Sequence, residues 1–311
     1  MINIVCLGEA LIDFKQTGQL AFQGYAGGSP MNVAIAAARL GGEVAFGGQV
    51  SSDMFGLSLR DYLRANNVNM HYLMETDAPT SLAFVAEIDG NAHFSFISNG
   101  AADTEYNPRP RPQLPDSVKF IQFGSKSLLD EPTSSSIIDI VAMHQDKACI
   151  VLDPNVRPAL IADRNEYLQA IKRWIGLADI VKVSTQDLDW LEPEMSCDDL
   201  AKAWLELGPS IVIVTDGEKG ATLYRKAQSP LHVPAPKVKV VDTVGAGDTF
   251  TGSLMVALLK RDLNQNLAVI PDDVWLEVLK LAVAAAAFNC TRAGANPPNE
   301  QELTDFIQTI V

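Results

Sequence analysis

Asp242-Thr243-Val244-Gly245-Ala246-Gly247-Asp248-Thr249-Phe250 is the stretch whose residue types and spacing could do chemistry. Two glycines two residues apart let a backbone turn tightly and approach a ligand closely. Downstream, Phe250, Leu254, Leu258 and Leu259 recur at helical spacing, which predicts a helix over 249–260. The amides of Gly245, Ala246 and Gly247 then face outward at a helix N-terminus, a place that favours negative charge. An acid, Asp248, stands in that same anion site. As an N-cap it would satisfy one amide. As a general base beside an oxyanion-type hole it would suit phosphoryl transfer to a hydroxyl. The stretch alone does not separate the two.

Two commoner phosphate loops are excluded. A P-loop needs Gly-Lys-Ser/Thr, and that triplet is absent from the chain. A dinucleotide fingerprint needs a third small residue where Phe250 stands and a strand directly before the first glycine.

A second glycine pair opens another helix. In Ala26-Gly27-Gly28-Ser29-Pro30-Met31-Asn32, Pro30 is placed as a first-turn residue with Ser29 as its cap, and a helix is predicted over 33–40. Asn32 can point into the space the glycines leave open. Further polar groups follow predicted strands: Gly8 to Asp13 after the first, then Asp153-Pro154-Asn155-Val156-Arg157, then Lys182, Ser184 and Asp187, then Thr215, Asp216, Gly217 and Gly220. Each alone reads as a turn residue or surface charge. Together they mark one edge of one sheet, where open α/β sheets bind ligands. Arg157 is a fork donor suited to phosphate or sugar oxygens.

The elements that must position these groups alternate. Strands are predicted at 2–7, 44–48, 118–123, 149–152, 180–183 and 211–215. Helices are predicted at 55–65, 133–143, 165–177, 198–207, 273–288 and 299–311. This rhythm indicates a mostly parallel sheet covered on both faces. Two antiparallel edge strands are expected at 221–225 and 237–241. Residues 81–88 and 92–98 read as a hairpin turning at Asp89-Gly90. With a pair of short strands over 14–25 it is expected to form a small lid sheet, the alternative being an edge hairpin of the main sheet. The core domain is then 1–13, 26–80 and 99–311. Four prolines within 108–115 make a rigid connector.

The chain has 311 residues, 47% hydrophobic and 20% charged, with a net charge of −14. That balance argues against nucleic-acid or anionic-membrane partners, and leaves any anionic substrate to local donors. The four cysteines form no C-x-x-C pair and the four histidines no H-E-x-x-H. Reduced thiols, a cytoplasmic setting and no protein-built zinc site are expected. The longest apolar run, 281–288, is too short to span a bilayer, and no signal peptide is apparent.

Gly27-Gly28-Ser29-Pro30-Met31-Asn32 through Gly56 resembles the first signature of the ribokinase-like (PfkB-type) carbohydrate kinases, and Asp242 through Phe250 resembles the second. Both are long and in the expected order. Within that family Gly8 to Phe14, Thr80 to Val85 and Asp153 to Arg157 are similar to the bacterial-type fructokinases. The resemblance implies a ribokinase-like three-layer α/β sandwich with a mostly parallel central sheet, a small β-sheet lid, and homodimers paired through the lid. It implies Mg-ATP as donor, with Asp248 as base and Gly245, Ala246 and Gly247 as anion hole. It places Asp13, Gly28, Asn32 and Arg157 at the sugar. Lys182, Ser184, Asp187, Thr215, Gly217 and Gly220 fall to the nucleotide. Asp242, Val244 and Gly294 match a monovalent-cation site, with potassium the expected ion.

Two departures bear on this. The family's N-x-x-E appears as Ser184-Thr185-Gln186-Asp187, and a lid arginine of many fructokinases and ketodeoxygluconate kinases is Ser98. Loss of that arginine favours a neutral hexose, fructose, over an acid sugar. Ketodeoxygluconate kinase, nucleoside kinase and, from another class, a non-catalytic sugar sensor are the competing functions.

Overall fold

Strand residues here alternate between two buried faces, which explains their continuous apolar runs. In the first strand Ile4 and Cys6 enter one core while Val5 and Leu7 enter the other. The same division recurs at Ile211 and Ile213 against Val212 and Val214. The computed structural model describes residues 1–88 and 91–310.

The main sheet is built from nine strands: β1 (Ile4–Leu7), β4 (Val44–Ser51), β5 (Asn69–Thr76), β8 (Phe120–Gly124), β9 (Cys149–Asp153), β10 (Ile180–Ser184), β11 (Ile211–Thr215), β12 (Ala221–Tyr224) and β13 (Leu231–Val233). Their order across the sheet is β13-β12-β11-β10-β9-β8-β1-β4-β5. From β11 to β5 neighbouring strands are parallel; β12 and β13 are antiparallel. Helices α1 (Ser29–Arg39), α2 (Met54–Ala65), α7 (Ala246–Leu259), α8 (Asp272–Asn289) and α9 (Glu300–Ile310) pack one face. Helices α3 (Thr133–His144), α4 (Arg164–Ile175), α5 (Thr185–Leu191) and α6 (Cys197–Leu205) pack the other. The result is a three-layer sandwich.

A separate four-stranded sheet is built from β2 (Leu11–Gln16), β3 (Phe22–Gly27), β6 (Leu82–Ile88) and β7 (Asn91–Ile97), in the order β3-β2-β6-β7. Within it Phe14 stacks on Phe84, and Phe14 also meets Phe55 of α2 edge-on, where this sheet rests on the core. The hairpin therefore joins this second sheet and is not an edge of the main one. Its expected Asp89-Gly90 turn lies outside the described residues.

The structure corrects several expectations. Strands β2 and β3 reach Leu11 and Gly27, beyond 14–25, so Asp13 rides on the second sheet. Residues 237–241 are not a strand; β13 at Leu231–Val233 pairs with β12 instead, and Val240 and Val241 are exposed. Pro234 and Pro236, which carry no N–H, stop β13 from continuing into that segment. Strand β5 and helix α5 are additions. Helix α7 begins at Ala246 rather than 249, and α1 at Ser29 rather than 33, with Gly28 and not Ser29 as its N-cap residue.

Helix α7 is buried from Asp248 to Leu258 because it lies between α1 and α8. A Cβ at Gly252 would stand 2.8 Å from Ala36 Cβ and 2.9 Å from Ala37 N. The glycine thus sets how closely α7 crosses α1, and so the distance between their N-termini.

Candidate active site

In the parallel sheet the chain leaves β1 for β4 and β5, then returns to β8 on β1's other side. Such a reversal opens a crevice at the carboxyl ends of the strands. Glu9 follows β1 and is buried there. Its Oε1 accepts from Ser29 N at 3.2 Å, and its Oε2 accepts from Ser127 N at 3.1 Å and from the Ser127 hydroxyl. One carboxylate therefore ties the ends of β1 and β8 to the start of α1.

Helices α1 and α7 both begin over this crevice. Gly28 (φ 104) and Gly245 (φ 74) lead the chain into these helices with backbone angles that side-chain-bearing residues rarely adopt. Asp248, in the first turn of α7, does not cap its own helix. Its Oδ1 accepts from Ser29 Oγ at 2.7 Å and its Oδ2 from Asn32 Nδ2 at 2.9 Å. Burial, then the Asp153 charge, pushes its pKa up to about 6 against the opposing pull of Ser29, Asn32 and Lys182. A carboxylate so placed is mostly ionised at neutral pH yet basic enough to take a proton.

Lys182 of β10 is buried and donates to Asp153 Oδ2 at 2.9 Å. Burial alone would lower its pKa, but Asp153, Asp187 and Asp248 raise it above the ordinary value, so the ammonium stays charged. A Cβ on Gly247 would sit 2.7 Å from Lys182 Nζ. Lys182 therefore adds a full positive charge directly behind the glycine loop. The Ala246 amide donates to Thr243 O at 3.2 Å, whereas the Gly245 amide has no backbone acceptor outside the helix ladder among the described residues.

Asp13 faces the same space. Burial raises its pKa to about 7, Arg157 opposes, and Asp248 and Glu9 add to the rise. Its carboxylate lies against Gly27, where a Cβ would come within 2.1 Å of Oδ2. Arg157 uses one nitrogen, Nη1, on Asn155 Oδ1 (2.6 Å), Asn155 O and Val156 O. Its Nε and Nη2 have no protein partner among the described residues.

The nucleotide-side residues are more dispersed. Ser184 caps α5, and Asp187 returns the bond in a capping box; Asp187 Oδ1 also accepts from Val156 N at 2.9 Å. Asp187 thus holds the loop carrying Arg157. Thr215 Oγ1 donates to Val183 O at 3.4 Å. Gly217 borders open space, while a Cβ on Gly220 would strike Val233 O at 2.0 Å, so Gly220 serves the turn into β12. Asp242, Val244 and Gly294 cluster beyond Gly245: Asp242 accepts from Val244 N and Gly294 N. Burial would raise the Asp242 carboxyl, but Lys15 and these two amides hold it below its usual value. Lys15 and the Ser29–Asp248 contact carried no sequence signal beyond residue type, whereas Glu9 lay within the marked segment after the first strand. Asp153 lay within a strand-end motif that the sequence does mark.

A buried carboxylate held between two helix N-termini, a glycine turn backed by Lys182 and a parallel-sheet crevice suit phosphoryl transfer to a hydroxyl. The chain belongs to the pfkB family of carbohydrate kinases, whose pattern it matches over residues 1–302. It is 38% identical over 264 residues to a fructokinase of Rhizobium leguminosarum bv. trifolii, covering 84% of this chain and 81% of that protein. It superposes on an ATP-bound fructokinase of Xylella fastidiosa with TM-score 0.89 and 30% identity, covering 99% and 98% of the two chains. A Vibrio cholerae O395 fructokinase double mutant with fructose, ADP and potassium bound gives TM-score 0.87 at 27% identity, covering 100% and 99%. The fold is ribokinase-like, and the chain is an ATP-dependent sugar kinase.

Proposed function

We propose that this kinase phosphorylates fructose at its terminal hydroxyl to fructose 6-phosphate. The observation that carries the chemistry is the grip of Ser29 and Asn32 on Asp248 at the N-terminus of α7. The names of the relatives carry the choice of fructose.

In this reading the sugar hydroxyl lies against Asp248, which takes its proton as the oxygen attacks the γ-phosphorus of ATP. Negative charge on the transferred group meets the amides of the Gly245–Ala246–Gly247 turn, the α7 dipole and Lys182. Asp13, Asn32 and Gly28 hold sugar hydroxyls, with Arg157 at the sugar or phosphate. Ser184, Asp187, Thr215, Gly217 and Gly220 border the nucleotide, and magnesium enters with ATP as part of that substrate. The second sheet, which contains most of 14–25 and 81–98, acts as the lid that excludes water. A cytoplasmic homodimer paired through the lids, with no nucleic-acid or membrane partner, is the proposed setting. Among the described residues no helix is long and apolar enough to cross a membrane.

Potassium at Asp242, Val244 and Gly294 is what the resemblance expects, but the residues present do not fit it well. Asp242 Oδ2 already accepts from Lys15 Nζ at 2.9 Å, and Val244 O from Asn289 Nδ2 at 2.8 Å. No step is assigned to that ion.

The unengaged nitrogens of Arg157 favour an acid sugar, ketodeoxygluconate, as the second reading. ATP consumption with fructose, ketodeoxygluconate, ribose and adenosine separates these. The highest kcat/KM is expected for fructose. A higher value for ketodeoxygluconate or adenosine overturns the assignment, and no turnover with any of them favours a sugar sensor.

A further inference from the structure

Alternate residues of a strand share a face, so Asp13 and Lys15 of β2 point the same way. Asp13 enters the crevice in front of Asp248. Lys15 reaches the far end of the glycine loop, where its ammonium lies 2.9 Å from Asp242 Oδ2. The Asp242 side chain is 6% exposed and that of Lys15 50%, so the lysine closes the rim over a nearly buried carboxylate. On the adjacent strand, Tyr25 packs on Gly294, where a Cβ would come within 3.1 Å of its ring. Two strands of the second sheet thus converge on the two loops that Asp242 and Gly294 define.

We propose that Lys15 is a positioning residue: its ε-ammonium is the fixed monovalent cation of the glycine loop, brought there by the second sheet, so that phosphoryl transfer needs no potassium. An unpaired Asp242 carboxylate beside the anion hole would repel the phosphate that the loop must receive. A unit positive charge on Asp242 cancels that field and keeps its grip on the Val244 and Gly294 amides. A lysine supplies the charge without recruiting an ion, and it arrives only when β2 lies against the loop. Lid position and loop charge are thereby linked. This inference rests on the kinase reading of the same site.

The test compares wild type, Lys15→Met and Lys15→Arg in potassium chloride and in tetramethylammonium chloride at matched ionic strength. Initial rates with fructose and ATP are measured, together with the Tm of each ligand-free protein. Wild-type rates are expected to agree within about twofold between the salts, with equal Tm. Lys15→Met is expected to lose about tenfold or more in tetramethylammonium, to recover most of it in potassium, and to gain Tm in potassium alone. Lys15→Arg is expected to remain indifferent to the salt. Severalfold activation of wild type by potassium overturns the inference, as does Lys15→Met that is equally active in both salts. If Lys15→Met does not fold, the wild-type and Lys15→Arg comparisons decide. If wild type phosphorylates none of the sugars, the kinase reading fails, while a potassium-specific Tm gain in Lys15→Met still reports whether the lysine occupies a cation's place.

Discussion

Ser29 of α1 and Asp248 of α7, 219 residues apart in the chain, meet in a 2.7 Å hydrogen bond. The bond joins the first turns of two helices that both open onto the crevice beyond β1 and β8. It makes the ionisation of Asp248 a property of the assembled fold, since the unfolded chain offers neither Ser29, Asn32 nor the burial.

A pH dependence follows. Asp248 must be ionised to accept a proton, and its pKa lies at about 6 in the free enzyme. The kcat/KM for fructose should rise with pH through that value and fall by at least about tenfold per unit below it, with Asp13, raised to about 7 in the same space, steepening the loss. Activity that stays flat from pH 7 down to pH 5 would detach Asp248 from the chemistry.

The same shift has a stability consequence of opposite sense to a salt bridge. The folded state holds the Asp248 proton more tightly than the unfolded state, whose value is near 3.8. Stability contributed by this group is therefore present at low pH and lost as pH rises from about 4 to about 6, by about 3 kcal/mol at most. Asp248→Asn keeps the Asn32 contact and lets Ser29 accept instead of donate. Denaturant unfolding should find it more stable than wild type at pH 8, with the gain vanishing near pH 4.

Much of the frame was legible because buried parallel strands advertise themselves: 149–152 and 211–214 are uninterrupted apolar runs followed by polar residues, and 180–183 is broken only by Lys182. Strand β5 was not, because Asn-Met-His-Tyr-Leu-Met-Glu-Thr at an edge buries little and mixes polar with apolar side chains. Residues 237–241 alternate like a strand yet pair with no strand among the described residues; only Val241 N finds a backbone partner, Cys290 O. At the site, the glycines, Asp248, Asn32 and Lys182 stood out in sequence, but the bonds that join them did not. Ser29 reads as a cap until Gly28 is seen in that position, and Lys15 reads as a surface lysine until Asp242 is seen beneath it. Contacts between segments 200 residues apart leave no local pattern.

The close crossing of α1 and α7 should be intolerant of added bulk. Gly252→Val places two methyl groups where Ala36 and Ala37 already lie within 3 Å of the Cβ position. It is expected to lose about 1–3 kcal/mol, the usual scale for overpacking, and to lower kcat as Asp248 moves from Ser29 and Asn32. Unchanged kcat in a folded variant would mean that this spacing does not set the base.

Where the second sheet joins the core, Lys126 donates to Asp103 Oδ2 at 2.7 Å and to Asp130 Oδ2 at 3.0 Å, and Ser81 donates to the other Asp103 oxygen. Lys126 and Asp103 are 3% and 1% exposed. Lys126→Met leaves a buried carboxylate without its cation and should cost about 3–5 kcal/mol in urea unfolding. The double variant Lys126→Met, Asp103→Leu should be the more stable of the two. A Lys126→Met protein as stable as wild type would show that the pair is not needed at this junction.

In the proposed reading Asp13, carried by β2 into the space before Asp248, holds a sugar hydroxyl. Asp13→Ala should raise KM for fructose with much less change in KM for ATP, since a site built to pair hydroxyls loses its acceptor. Equal effects on both constants would remove Asp13 from the sugar.

The central claim is that Asp248 takes the proton from a fructose hydroxyl during phosphoryl transfer from ATP. Its most direct test is kcat of Asp248→Asn with saturating fructose and ATP at pH 8, on protein whose cooperative unfolding is intact. The account predicts a fall of at least about 10²-fold, the scale of a lost general base. Turnover within a few-fold of wild type would contradict it.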